Sequence, residues 1–171
     1  MLDVACGSGR HVRWMAERGH VVTAVDRDVA ALAGLRLMAP GADIVCADLE
    51  GGAWPLSGRT FDAVLVTNYL WRPLWPALRD ALAPAGVLIC ETFASGQESI
   101  GKPSRPAFLL QPGDLLRACV GLRVVAYEDG FDSATPRFVQ RIVAVNETLE
   151  SSAPRRYPLD AAAGDQGSAD G

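Results

Sequence analysis

The sequence predicts an α/β fold built on a mostly parallel sheet, and three observations carry that expectation. Short apolar runs alternate with segments of helical period, the rhythm of strands and crossover helices. The first run leads straight into a glycine-rich turn, "LDVACGSGRH", that opens a helix. The next two runs end in "HVVTAVD" and "CADLE", which place carboxylates at the tips of successive strands.

The elements follow in order. Leu2 to Ala5 reads as a short first strand, and Arg10 to Arg18 as a helix with Val12, Met15 and Ala16 on one face and Gly19 as its stop. His20 to Val25 is the second strand. Asp28 is the N-cap of a helix over "VAALAGLRLM", and "ADIVCA" is a third strand after the "APG" break. "DLEGGAWPLSGRT" holds too much Gly and Pro for a full helix. "FDAVLVT" is the fourth strand. Its following helix starts near Arg72 and Pro73, because proline is tolerated in a first turn, and runs to about Ala83.

"AGVLICETF" is the fifth strand. From Ala94 to Pro112 the chain is rich in Gly, Ser and Pro, which predicts a long functional surface loop. A short helix over Gly113 to Cys119 precedes "LRVVAYEDG" and "RFVQRIVAVN". The few residues between those strands leave no room for a crossover helix, so they pair antiparallel. Residues 1–147 thus form one domain, and residues 148–171, small and polar without pattern, are expected to be a disordered tail.

Composition excludes several classes. The 171 residues are 49% hydrophobic, enough for one buried core. Sixteen basic against twenty acidic residues give a net charge of -4, without the footprint of a general nucleic-acid binder. Cys6, Cys46, Cys90 and Cys119 lack metal-site or disulfide spacing and read as reduced, buried, small hydrophobes; no metal site is expected. No apolar run reaches the length of a membrane span and no leader pattern is present, so the expected location is the cytoplasm, with no membrane partner.

The turn carries the chemistry. Asp3 closes the first strand, and Ala5, Gly7 and Gly9 let backbone approach a ligand closely. A nicotinamide site would carry G-x-G-x-x-G, whereas the position three after Gly9 is Val12. A carboxylate ahead of the turn suits a ligand with a positive amine and a sulfonium better than one with phosphates. Asp26, about twenty residues on, is placed to accept the two hydroxyls of a ribose.

"LDVACGSGRH" resembles motif I of the class I S-adenosylmethionine-dependent methyltransferases, with Ala5 where that family most often has glycine. Alanine there implies a negative φ and slightly more room. The resemblance, over residues 1–147, implies a Rossmann-like seven-stranded sheet of order 3-2-1-4-5-7-6, with the last strand antiparallel and helices on both faces. It implies S-adenosylmethionine as cofactor, held by Asp3, Ala5, Gly7, Ser8, Gly9, Asp26 and Arg27. Asp48 would meet the adenine amino group beside Leu49, with Thr67, Asn68 and Tyr69 at the family's motif IV position beside the methionine part and the transferred methyl. "NYLWRPLWPAL", "ETFASGQES" and "PSRPAFLLQPGDLL" are similar to small bacterial methyltransferases of the tellurite-resistance type, which implies a small-molecule or unidentified acceptor.

Methyl transfer is an in-line displacement, so positioning of the acceptor supplies much of the acceleration. If the acceptor must lose a proton, His11, Tyr69 and Glu91 are the candidate bases. Arg72 reads as surface charge, and Tyr69 and Trp71 serve equally as packing aromatics. Only Met1 and Leu2 precede Asp3, whereas the family has a longer first strand and a covering helix, so the chain reads as N-terminally truncated. The alternative function is a non-catalytic cofactor-binding or partner module; a nicotinamide oxidoreductase stands third.

Overall fold

The computed structural model describes residues 1–147 and 156–157. The expected tail at 148–171 lies, those two residues apart, outside the described residues. The strands are β1 (Leu2–Val4), β2 (Thr23–Asp26), β3 (Asp43–Cys46), β4 (Phe61–Thr67), β5 (Leu82–Phe93), β6 (Arg123–Asp132) and β7 (Arg137–Val145). The helices are α1 (Arg10–Ala16), α2 (Val29–Met38), α3 (Trp75–Asp80) and α4 (Asp114–Ala118). One sheet contains all seven strands in the order β3-β2-β1-β4-β5-β7-β6. β1 to β5 run parallel, and β7 is antiparallel to both β5 and β6.

The sheet order explains where the core lies. β1 sits centrally, pairing Leu2, Asp3 and Val4 with β2 on one side and β4 on the other. Strands covered on both faces are mostly apolar, as β1 and β4 are, each interrupted by one aspartate, Asp3 and Asp62. Val12 and Met15 of α1 and Leu32 and Leu35 of α2 pack on one face against Val22 and Ala24. Leu78 of α3 and Leu115 of α4 pack on the other face with Leu2, Val4, Val64, Val66 and Leu88. Asp28 caps α2 as expected, accepting from the Ala30 and Ala31 amides at 3.0 Å. Among the described residues no helix is long and apolar enough to cross a membrane.

The structure departs from the sequence reading at several points. The helix after β4 begins as a tight 3₁₀ turn, Arg72–Leu74, and α3 stops at Asp80, because Leu82 already pairs with Phe61 of β4. The segment expected as a surface loop is exposed over residues 98–108, Pro103 apart, but it is anchored inward at both ends. Ala94 bridges Leu110, Leu109 and Leu110 are buried, and the Gln97 side chain joins the Phe138 amide to the Lys102 carbonyl. Arg72 is more than surface charge: it donates to the Ala107 and Leu109 carbonyls and to Asp114, tying the β4–α3 connection to that segment. Cys90 and Cys119 are buried, but Cys46 is exposed at the tip of β3 and Cys6 half-buried; all four are free.

Ala5 also overturns its expectation. Its φ is +54°, in the left-handed region, where an L-residue is strained and glycine is at ease. The fixed geometry of β1 and the Gly7–Gly9 turn imposes this, since Cys6 must donate to the Val25 carbonyl and Gly9 to the Cys6 carbonyl.

Candidate functional site

The site is built at the C-terminal edge of β1, β2, β3 and β4, where open parallel sheets place their ligands. The turn after β1 is its floor. Gly7 and Gly9 adopt φ values of +54° and +79°, and Gly9 opens α1 as its N-cap. A Cβ on Gly9 would collide with the Leu35 side chain, so the residue joins the turn to the α2 packing. Ser8 is exposed on the crest of the turn.

Asp3 lies beneath it, 1% exposed, and neither carboxylate oxygen has a hydrogen-bond partner. Burial pushes its pKa up to about 7, with Arg10 pulling it down and Asp26 adding to the rise. A buried acid with two unmatched oxygens is costly unless a cation or donor meets it. Asp26 is already tied into the floor: Oδ2 accepts from the Gly7 amide at 2.7 Å and Oδ1 from the Asp28 amide at 2.9 Å. Each oxygen keeps a second lone pair for a ligand.

A cavity of about 150 Å³ opens beside this floor, lined by Ala5, Asp26, Arg27, Asp48, Glu50 and Tyr69 with Ala47 and Leu49. Asp48 Oδ1 accepts from the Glu50 amide at 2.9 Å, which leaves Oδ2 free, and Leu49 is buried in the core beneath. Sequence reasoning missed Glu50, although the run "DLE" carries it.

The remaining candidates divide. Asn68 turns the chain at φ +53°, its amide donating to the Glu91 carbonyl at 2.9 Å, so Thr67 and Tyr69 leave β4 in different directions. Thr67 Oγ1 lies 3.4 Å from His11 Nδ1, and His11 Nε2 lies 3.2 Å from an Arg10 nitrogen. Burial and the Arg10 charge lower the His11 pKa, which favours the neutral ring at neutral pH. Tyr69 faces the Asp26–Asp48 cavity instead, and burial, Glu50 and Asp48 push its pKa up to about 12. Glu91 is held by two arginines, accepting from Arg141 at 2.5 Å and pairing with Arg137 at 2.7 Å. Arg141 also reaches Glu128 and Asp132, so Glu91 is one corner of an ion-pair network across β5, β6 and β7. No sequence signal linked these partners.

Residues 1–86 match the family described as "Methyltransferase domain". The chain belongs to that methyltransferase family. The match runs from β1 into β5 and so includes every strand tip of the site. No curated protein matches the sequence. Among solved structures, TehB from Haemophilus influenzae aligns with a TM-score of 0.70 at 13% identity, over 85% of this chain and 57% of that one. The chain therefore spans little more than half of that protein. An S-adenosylmethionine-dependent methyltransferase from Mesorhizobium loti aligns at 0.66 and 18% identity, covering 84% of this chain and 89% of that one. The N-methyltransferase NodS from Bradyrhizobium japonicum gives 0.67 and 14% over 86% and 85%. At these identities the likeness is one of fold, and that fold is the class I methyltransferase sheet implied by "LDVACGSGRH".

Proposed function

We propose that this methyltransferase-family chain binds S-adenosylmethionine at the β1–β4 edge and transfers its methyl group to a small-molecule acceptor. The observation that carries the reading is Asp3: a buried carboxylate with both oxygens unmatched, in the strand that leads into the glycine turn. Its need for a cation fits the amine of that cofactor, and a phosphate-bearing dinucleotide would not meet it. Asp26 is placed for the ribose hydroxyls, and Asp48 with its free Oδ2 for the adenine amino group. When bound, the cofactor supplies an electrophilic methyl on a sulfonium sulfur.

The residues of this chain then do two things. The turn and the three carboxylates hold the donor rigidly, which is where positioning catalysis gains its rate. Thr67 and His11 form the polar rim beside the turn, and His11, kept neutral, is the group able to take a proton from an acceptor that must lose one. Glu91, committed to Arg137 and Arg141, supports the wall and is not the base.

Calorimetry with S-adenosylmethionine, S-adenosylhomocysteine and NAD, followed by a donor-turnover assay over a panel of small amines, thiols, phenols and oxyanions, tests this. Binding of both sulfur nucleosides and turnover with at least one acceptor supports the reading. Binding without turnover on a broad panel favours a non-catalytic module, and selective binding of NAD overturns the assignment.

A further inference from the structure

Past the tip of β4 the chain lays a second segment in the same line. The Asn68 amide donates to the Glu91 carbonyl at 2.9 Å, and there β4 turns away. The next carbonyl on that side of β5, Phe93, accepts from the Leu110 amide at 2.9 Å, and the Ser95 amide donates to the Leu110 carbonyl at 2.9 Å. Leu110 runs parallel beside Ala94, so it takes the place of β4 in the sheet, roughly 7 Å further along β5. The stretch that leads into it, exposed over residues 98–108 with Pro103 apart, therefore borders the space in front of Thr67, where the proposed reaction meets its acceptor.

One side chain ties that stretch down from the β4 side. Arg72 stands on a base that Leu70, Trp71 and Leu74 hold in the core. Its Nη1 donates to the Ala107 carbonyl at 3.0 Å, and its Nη2 to the Leu109 carbonyl and to Asp114 Oδ2, both at 2.8 Å. The two carbonyls flank Phe108, whose ring is exposed. Asp114 also accepts from the Gln111 amide at 2.8 Å and opens α4, so the latch runs on into that helix. A planar guanidinium bridges two carbonyls and a carboxylate at once, which an ammonium group cannot do. The exposed stretch buries little apolar surface of its own, so these bonds at its end fix its course.

We infer that Arg72 is a positioning residue for the methyl acceptor: by latching residues 107–114 against the tip of β4 it sets the acceptor-side wall of the site without touching the cofactor. The inference rests on the proposed methyl transfer and adds to it the residue that orders the acceptor side. The three carboxylates proposed to hold the donor lie on β1, β2 and the end of β3, across β4 from the latch. Loosening the wall therefore weakens acceptor binding and leaves donor binding intact.

The test uses the full chain, with Arg72→Met and Arg72→Lys, and the acceptor that the parent methylates fastest in the panel of amines, thiols, phenols and oxyanions. In Arg72→Met the KM for that acceptor should rise about tenfold or more at little changed kcat, the signature of lost acceptor binding. Affinity for S-adenosylhomocysteine should stay at the parent value. Arg72→Lys should fall between the two, because its ammonium reaches one of the three partners. Should Arg72→Met fail to fold, Asp114→Asn, which removes the ion pair and keeps a side-chain oxygen for the Gln111 amide, should raise the same KM by a smaller factor.

A lower melting temperature with the acceptor KM unchanged overturns the inference and leaves Arg72 a structural tie. Loss of S-adenosylhomocysteine affinity in step with the rise in KM also overturns it, since the latch would then act on the whole site. A parent that binds S-adenosylhomocysteine but methylates nothing in the panel removes the acceptor-side role together with the enzymatic reading. A parent that binds neither sulfur nucleoside overturns the proposed cofactor itself, an outcome distinct from an active parent whose variants keep its KM.

Discussion

The Gly7 amide donates to Asp26 Oδ2 across 2.7 Å, so the turn after β1 and the carboxylate ending β2 form one rigid piece. Asp26 fixes the turn and, in the proposed function, offers its remaining lone pairs to the ribose. Asp26→Ala should therefore lose both. Affinity for S-adenosylhomocysteine should drop at least tenfold, and stability should fall by about 1 to 2 kcal/mol through the freed Gly7 and Asp28 amides. Calorimetry and denaturant melts measure the two effects separately.

Asp3 opposes stability with function. Its folded pKa of about 7 lies above the unfolded value of about 3.9. Between those values the folded state binds the extra proton, so this group's contribution to stability is fully present below about pH 4 and is lost as pH rises towards 7. Asp3→Asn removes that dependence. The variant should be more stable than the parent at pH 8, by up to about 4 kcal/mol relative to the difference at pH 4, and should bind S-adenosylmethionine far more weakly. In the parent, affinity should rise from pH 6 to 7.5 with proton release, which calorimetry in buffers of different ionisation enthalpy detects.

Ala5 holds a φ of +54° that costs an L-residue about 1 kcal/mol or more. Ala5→Gly should relieve that strain, offset in part by the greater freedom of glycine in the unfolded chain. Stability should stay level or rise by up to about 1 kcal/mol, and affinity for S-adenosylhomocysteine should not fall. Thermal melts of the ligand-free variant check the first statement.

Glu91 anchors Arg137 and Arg141 and is not free to act on an acceptor. Glu91→Gln should lower stability by about 1 kcal/mol, because the network is half-exposed and Arg141 keeps Glu128 and Asp132. Cofactor affinity should be unaffected. The destabilisation should shrink at high salt, which distinguishes a lost ion pair from lost packing.

The strand tips were legible because local chemistry marks them. The glycines of "ACGSG" and the cap at Asp28 act on their own turn, and Asp26 is marked by its place at the end of an apolar run although its Gly7 partner lies 19 residues back. The roles of Glu91 and Arg72 were not legible, because their partners are Arg141, 50 residues on, and Asp114, 42 residues on, and no periodicity encodes such pairs. Ala5 misled for a related reason: its φ is imposed by the turn and by the strand pairing around it, against the preference of its own side chain. Tyr69 follows β4 at the place expected for motif IV, but the left-handed Asn68 before it, a property of the turn, turns it towards the cavity between Asp26 and Asp48.

The most direct measurement is a crystal structure of the chain with S-adenosylhomocysteine bound. The account predicts the amine at Asp3, the ribose hydroxyls on Asp26 and the adenine amino group on Asp48. A nucleoside seated elsewhere on the sheet, with the Asp3 carboxylate still unmatched, would contradict it.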